Sequence, residues 1–139
     1  MMITLVVLKP QRVTERRTAT EPRPLMIYIA APYSEPDPAV NTHGVLRIAD
    51  ALLENGFTPV VPHLNILWHM FSPKPYETWL EYDRELLARC DAVLRVPGFS
   101  VGAARETRFA KSINIPVIYS QSGSPDDCVE AVQEWLMSP

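Results

Sequence analysis

No charge of one sign dominates this sequence: 13 lysines and arginines face 16 aspartates and glutamates, for a net charge of −3. That balance offers no grip on a nucleic-acid backbone or an anionic lipid surface, so neither a nucleic-acid polymer nor a membrane is expected as partner. Cysteine is scarce. Cys90 and Cys128 stand alone, outside any CxxC pair and without a disulfide framework, which points to a reducing, cytoplasmic setting. Long apolar runs are missing as well; none approaches the roughly 20 residues that cross a bilayer. The opening ITLVVL (3–8) is shorter than the apolar part of a signal peptide, and no small-residue cleavage pattern follows it. HExxH and P-loop patterns are absent, which argues against those metallohydrolases and NTPases. His63 and His69 share one loop, but no third ligand accompanies them; they are expected to line a pocket or to face solvent, and neither a metal nor a cofactor is expected.

What is present is the composition of a folded domain. Hydrophobic residues make up 47% and charged residues 21% of 139, enough for one core of ordinary size. The charge is uneven: residues 1–24 carry +3 and the remainder −6. KPQRVTERRTATEPRP (9–24) is polar, basic and bounded by prolines. It reads as an N-terminal arm or non-native extension over 1–24, before a domain at 25–139 with Met26 as a possible natural start. The alternative is that 3–8 adds an edge strand.

Along 25–139 strands and helices alternate. LMIYIAA (25–31) is the continuous apolar run of a buried parallel strand, and PYSEPDP is its loop. Asp37 and Pro38 open a helix that Gly56 closes. FTPVV, DAVLRV and IPVIY are further strands. Helices are expected from Pro75 to about Arg89, over 101–114 with Ser100 as cap, and from Ser124-Pro125 to near Met137. Between them, 62–75 reads as a long aromatic and histidine-bearing loop, with room for a short helix, of the kind that forms a lid or binding segment. The pattern predicts an α/β fold, a Rossmann-like or flavodoxin-like three-layer sandwich. Its mostly parallel sheet has four to five strands, in the order 2-1-3-4. Ligands in such sheets bind beyond the carboxyl ends of the strands, beside strand 1. That places Ala31, Pro32 and Tyr33 of the first loop, with His63 of the long loop, as substrate contacts. Asn41 flanks the same loop, and Trp68, Phe71 and Tyr76 are candidates to stack on a flat ring. Trp79 reads as core.

Two carboxylates stand on faces where the pattern calls for apolar groups. In helix 76–89 the stripe is Tyr76, Trp79, Leu80, Leu86 and Leu87, continuing to Cys90, and Asp83 projects from it. In helix 101–114 the stripe is Val101, Ala103, Ala110 and Ile113, and Glu106 falls in its middle. An unpartnered buried carboxylate costs several kcal/mol of desolvation. One reading ties each acid to an arginine, with Arg84, Arg105 and Arg108 as candidates. The other has both facing one pocket, with perturbed pKa values and separate roles. Paired acids suit glycosidic chemistry, and the same physics serves a sugar–base bond because both routes pass through an oxocarbenium-like state. Tyr28 in the first strand has a hydroxyl that can orient such an acid. Ser100 and Gly102 stand at a helix start, where free N–H groups favour an anion and a glycine lets it approach.

MIYIAAPYS, WLEYDRELLARCDAVLRVPG and SVGAARETRFAKSINIPV together resemble the nucleoside 2-deoxyribosyltransferase-like superfamily over about residues 26–120. That group includes 2′-deoxynucleoside 5′-phosphate N-hydrolases. The resemblance implies that Glu106 is the nucleophile, that Tyr28 hydrogen-bonds it, and that Asp83 handles the nucleobase. Ser100 matches a phosphate-contacting serine, which favours a nucleoside 5′-monophosphate over a nucleoside. The first loop departs from the pattern, with Ala30-Ala31-Pro32 where the phosphate hydrolases carry a Gly-Ser pair, and 62–75 has no counterpart. A homo-oligomer is implied as well. The expected function is N-glycosidic cleavage, by hydrolysis or by deoxyribosyl transfer; the alternative is a non-catalytic nucleotide-binding module of the same fold.

Overall fold

A computed structural model describes residues 23–139. Apart from Arg23 and Pro24, the expected arm and the alternative edge strand at 3–8 lie outside the described residues. Strand β1 (Met26–Ala30) is the axis of the molecule. Ile27, Tyr28, Ile29 and Ala30 are each fully buried, because β1 has a strand on either side and helices on both faces. With β2 (Thr58–Val60), β3 (Ala92–Arg95) and β4 (Val117–Tyr119) it forms an all-parallel sheet in the order β2-β1-β3-β4, as expected. Tyr28 pairs with Val60 on one side and Val93 on the other. Asp91 fixes the entry to β1: its carboxylate accepts from the Met26 amide at 2.8 Å and from Arg23 at 2.9 Å.

Five helices follow: α1 (Pro38–Glu54), α2 (Asn65–Phe71), α3 (Tyr76–Leu87), α4 (Val101–Ser112) and α5 (Pro125–Met137). α1 begins where Asp37 accepts from the Ala39 and Val40 amides at 2.8 and 3.0 Å. It buries Val45, Ile48, Ala49 and Leu52, one stripe at helical spacing. Each such large aliphatic side chain contributes about 2 kcal/mol of transfer free energy. α1 and α5 pack on the Ile27–Ile29 face, and α3 and α4 on the Tyr28–Ala30 face, giving three layers.

The segment 62–75 holds its short helix and is largely helical, with a 3₁₀ turn (Pro62–Leu64) running into α2. Two local expectations need correction. In α4 the buried stripe is Ala103, Thr107 and Ala110, whereas Val101 and Ile113 are 55% and 38% exposed. They sit at the first residue and at the cap, where the helix leaves the sheet, and the small side chains between them let its middle approach closely. In α3 only Leu87 is buried, with Cys90 just beyond, and the helix ends at Leu87. Tyr76, Trp79 and Leu80 are not core because that half of the helix overhangs a cavity instead of the sheet.

Candidate active site

The cavity lies at the carboxyl end of β1, between α2, α3 and α4, and measures about 430 Å³. Two loops form its floor. Gly98 has φ +126, and a Cβ there would come within 2.7 Å of Pro32 Cγ, so the loops after β1 and β3 pack side by side only with glycine at this point. The Asn41 amide donates to the carbonyls of Tyr33 and Glu35 at 2.9 and 2.7 Å, holding the first loop in place.

Tyr28, Asp83 and Glu106 all line this cavity. α3 and α4 cover the same face of the sheet, and that is why two acids 23 positions apart in sequence meet. The buried Tyr28 hydroxyl donates to Glu106 Oε2. Burial raises the Tyr28 pKa, and the charges of Glu106 and Asp83 raise it further, so the phenol stays a donor. Burial also pushes the Glu106 carboxyl up to about 7; the Tyr28 bond opposes this, Asp83 adds to it and Arg95 opposes it. Asp83 is pushed up to about 6 by burial, against a hydrogen bond from Asn65 that lowers it.

Among the described residues no arginine forms an ion pair with either acid; the ion pairs are Arg23–Asp91 and Arg89–Glu85. Arg84 and Arg105 reach the cavity without pairing, Arg84 lying over the Phe109 ring at 5.3 Å. The Arg95 guanidinium is occupied by the carbonyls of Val96 and Gly98.

Of the expected substrate contacts, Ala31, Tyr33, His63, Ser100 and Gly102 line the cavity. Ser100 also caps α4, accepting from the Ala103 amide at 3.1 Å. At Gly102 a Cβ would meet only Ser100 Oγ, at 3.9 Å, which leaves open space at the helix start. His63 is buried; its Nε2–H donates to the Pro32 carbonyl at 2.9 Å, and desolvation lowers its pKa, so it is neutral with Nδ1 as acceptor.

Pro32 itself does not line the cavity: its ring packs against Gly98 and its carbonyl holds His63. Asn41 likewise serves the loop and not the cavity. Of the candidate stacking rings only Tyr76 reaches the cavity. Phe71 is 88% exposed, and Trp68 packs edge-on against Trp79 at 5.3 Å.

Several cavity residues escaped the sequence reading. Trp79, taken as core, forms part of the wall and donates to His69 Nδ1 at 2.9 Å. The Lys74 amide donates to the same nitrogen at 3.2 Å. Asn65 and Ile66 project from α2 into the same wall, beside His69, for which a place on a pocket is one of the two expectations. The spacing of residues 65, 66 and 69 is one helical face, a signal that the short segment carried. Among the described residues no three His, Cys, Asp or Glu side chains cluster to hold a metal ion.

The fold and the cavity define an all-parallel α/β sandwich with two carboxyls of raised pKa at the end of its central strand. The chain belongs to the family described as a domain of unknown function (DUF7768), whose family model matches residues 25–120. No curated protein matches it. Among solved structures, it is similar to the glutaminase domain of a Trypanosoma brucei CTPS with bound acivicin. That similarity has 14% identity and a TM-score of 0.37, over 68% of this chain and 35% of that one. The present chain thus spans about a third of that chain's length, and a likeness at this level carries no argument about the site. No helix among the described residues is long and apolar enough to cross a membrane.

Proposed function

We propose that this protein breaks the N-glycosidic bond of a nucleoside or nucleoside 5′-monophosphate, with Glu106 as nucleophile. The observation that carries the reading is the carboxylate pair: two acids of raised pKa on one cavity, neither in an ion pair among the described residues, one of them held by a buried tyrosine. A volume of about 430 Å³ lies within the usual range for small-molecule pockets. The resemblance of residues 26–120 to the nucleoside 2-deoxyribosyltransferase-like superfamily supports the same chemistry.

Glu106 attacks C1′ and forms a glycosyl ester, while the C1′–N bond breaks with its electron pair going to the base nitrogen. Asp83 supplies the proton that neutralises the departing base. Water then attacks C1′, Asp83 takes the water's proton, and Glu106 leaves as the carboxylate. A second base in place of water gives transfer. The open start of α4 at Ser100 and Gly102, with Arg105 and Lys74 also on the cavity, suits a 5′-phosphate.

These roles need Glu106 ionised and Asp83 protonated, the reverse of the order of their pKa values in the free protein. The active form is therefore a minor one, and kcat/KM follows a bell centred between pH 6 and 7. The same order favours a second reading. A Glu106 that is half protonated near neutrality is a weak nucleophile, which suits a module that binds a nucleotide without cleaving it.

Incubation with a panel of nucleosides and their 5′-monophosphates, followed by chromatography for free base, separates the two. Base release that disappears in Glu106→Ala supports cleavage. Tight binding by calorimetry with no base release supports the binding module. We take the protein to work in the cytoplasm and to self-associate. Leu67, Met70 and Phe71 of α2 are 65%, 74% and 88% exposed, an apolar surface that supports association. Light scattering that gives a monomer mass would remove that part.

A further inference from the structure

Asp83 is anchored by a neutral group. Its Oδ1 accepts the side-chain amide of Asn65 at 2.6 Å, and among the described residues no other donor reaches the carboxyl. Asn65 stands where the 3₁₀ turn Pro62–Leu64 passes into α2, and it lines the same cavity as the acid it holds. We propose that Asn65 is the positioning residue for Asp83: its amide fixes Oδ1, leaves Oδ2 to the ligand, and keeps the carboxyl in place in both protonation states. The inference deepens the proposed cleavage and rests on it for the use of the proton.

An acid that loses and regains a proton needs a partner that holds it in both forms. A lysine or arginine at this distance favours the carboxylate and holds the proton off. A hydrocarbon neighbour leaves the acid free to rotate and drives its pKa higher still. A primary amide is a neutral donor. Its Nδ2–H donates to Oδ1 of the carboxylate, and still does so when Oδ2 carries the proton, because Oδ1 is then the carbonyl oxygen of the acid. The anchor therefore survives when the proton passes to the departing base and when water returns it. Other charged or titratable groups share the cavity with Asp83: Tyr28 and Tyr33 from β1 and its loop, Glu106 and Arg105 from α4, Tyr76 and Arg84 from its own helix, and His63, His69 and Lys74 from the segment that carries Asn65. None of them is hydrogen-bonded to it.

The test follows the Asp83 carboxyl by carbon NMR across a pH titration, with the signal assigned by its loss in Asp83→Asn. In Asn65→Leu the midpoint is expected to rise by about one to two pH units, the worth of a hydrogen bond to a charged group. In the nearly isosteric Asn65→Asp, which reads the same contact if Asn65→Leu does not fold, two carboxyls share a proton. Titration then splits into two steps, the upper one above the wild-type midpoint. On a substrate that the wild type cleaves, Asn65→Leu is expected to lower kcat more than it raises KM. It is also expected to move the alkaline limb to higher pH, because the protonated acid is the working form. An Asp83 midpoint unchanged in both variants overturns the inference, and does so even if cleavage is found. Absence of base release from every substrate removes the cleavage reading and leaves the titration result standing.

Discussion

On the sheet face covered by α1 and α5, Ile27, Ile29, Leu94 and Ile118 pack with Val45, Ile48, Leu52 and Val132, all of them aliphatic. On the face covered by α3 and α4, the same strands present Tyr28, Ala30 and Val93 to Leu87, Ala103 and Ala110, and two carboxyls line the cavity at its edge. The strand β1 serves both with successive residues, because side chains alternate along a strand. The difference teaches that stability and chemistry are divided here at single-residue resolution. Ile27 and Ile29 contribute to the core, while Tyr28 between them directs a hydroxyl to Glu106.

Substitutions on the two faces can break that division. Glu106→Gln keeps the shape of the side chain and is expected to lower base release by on the order of 10³-fold or more, with the melting temperature retained or raised. Asp83→Asn is expected to cost about 10²- to 10⁴-fold in kcat, the usual worth of a positioned proton donor. Leu52→Ala, on the other face, should reverse the pattern. Urea unfolding is expected to show a loss of about 2–5 kcal/mol, with unchanged activity per folded molecule. Activity that falls in step with stability in all three variants would abolish the distinction between the faces.

A smaller effect sharpens it. Both acids hold their protons more tightly in the folded chain, Glu106 rising from 4.5 to about 7 and Asp83 from 3.8 to about 6. The unfolded chain therefore binds fewer protons over that window, and stability falls as pH rises through it. Glu106→Gln and Asp83→Asn are expected to flatten the decline, so that each melts above the wild type at pH 8 and not at pH 4. Thermal scans at the two pH values read the difference.

Much of the fold was legible because its signals are local. The apolar run of β1, the Asp37-Pro38 start and the Ser124-Pro125 start each state their element in a few residues, and alternation supplies the parallel sheet. The two acids were legible for the opposite reason: each breaks the pattern around it. What escaped depends on contacts between distant segments. Asn65 acquires meaning only when the short α2 folds over α3. Trp79 has the composition of core and becomes cavity wall because its half of the helix passes the edge of the sheet. Pro32 was placed at the ligand by its loop, but the left-handed Gly98 draws it against the second loop instead.

The claim beneath all of this is that Asp83 and Glu106 sense one another across one cavity. Titration of the Glu106 carboxyl by carbon NMR, in the wild type and in Asp83→Asn, reads this directly. The expected result is a wild-type midpoint near 7 that moves down when the neighbouring charge is removed. A Glu106 that titrates near 4.5 in the wild type, and stays there in Asp83→Asn, would show two solvated and independent acids and contradict the account.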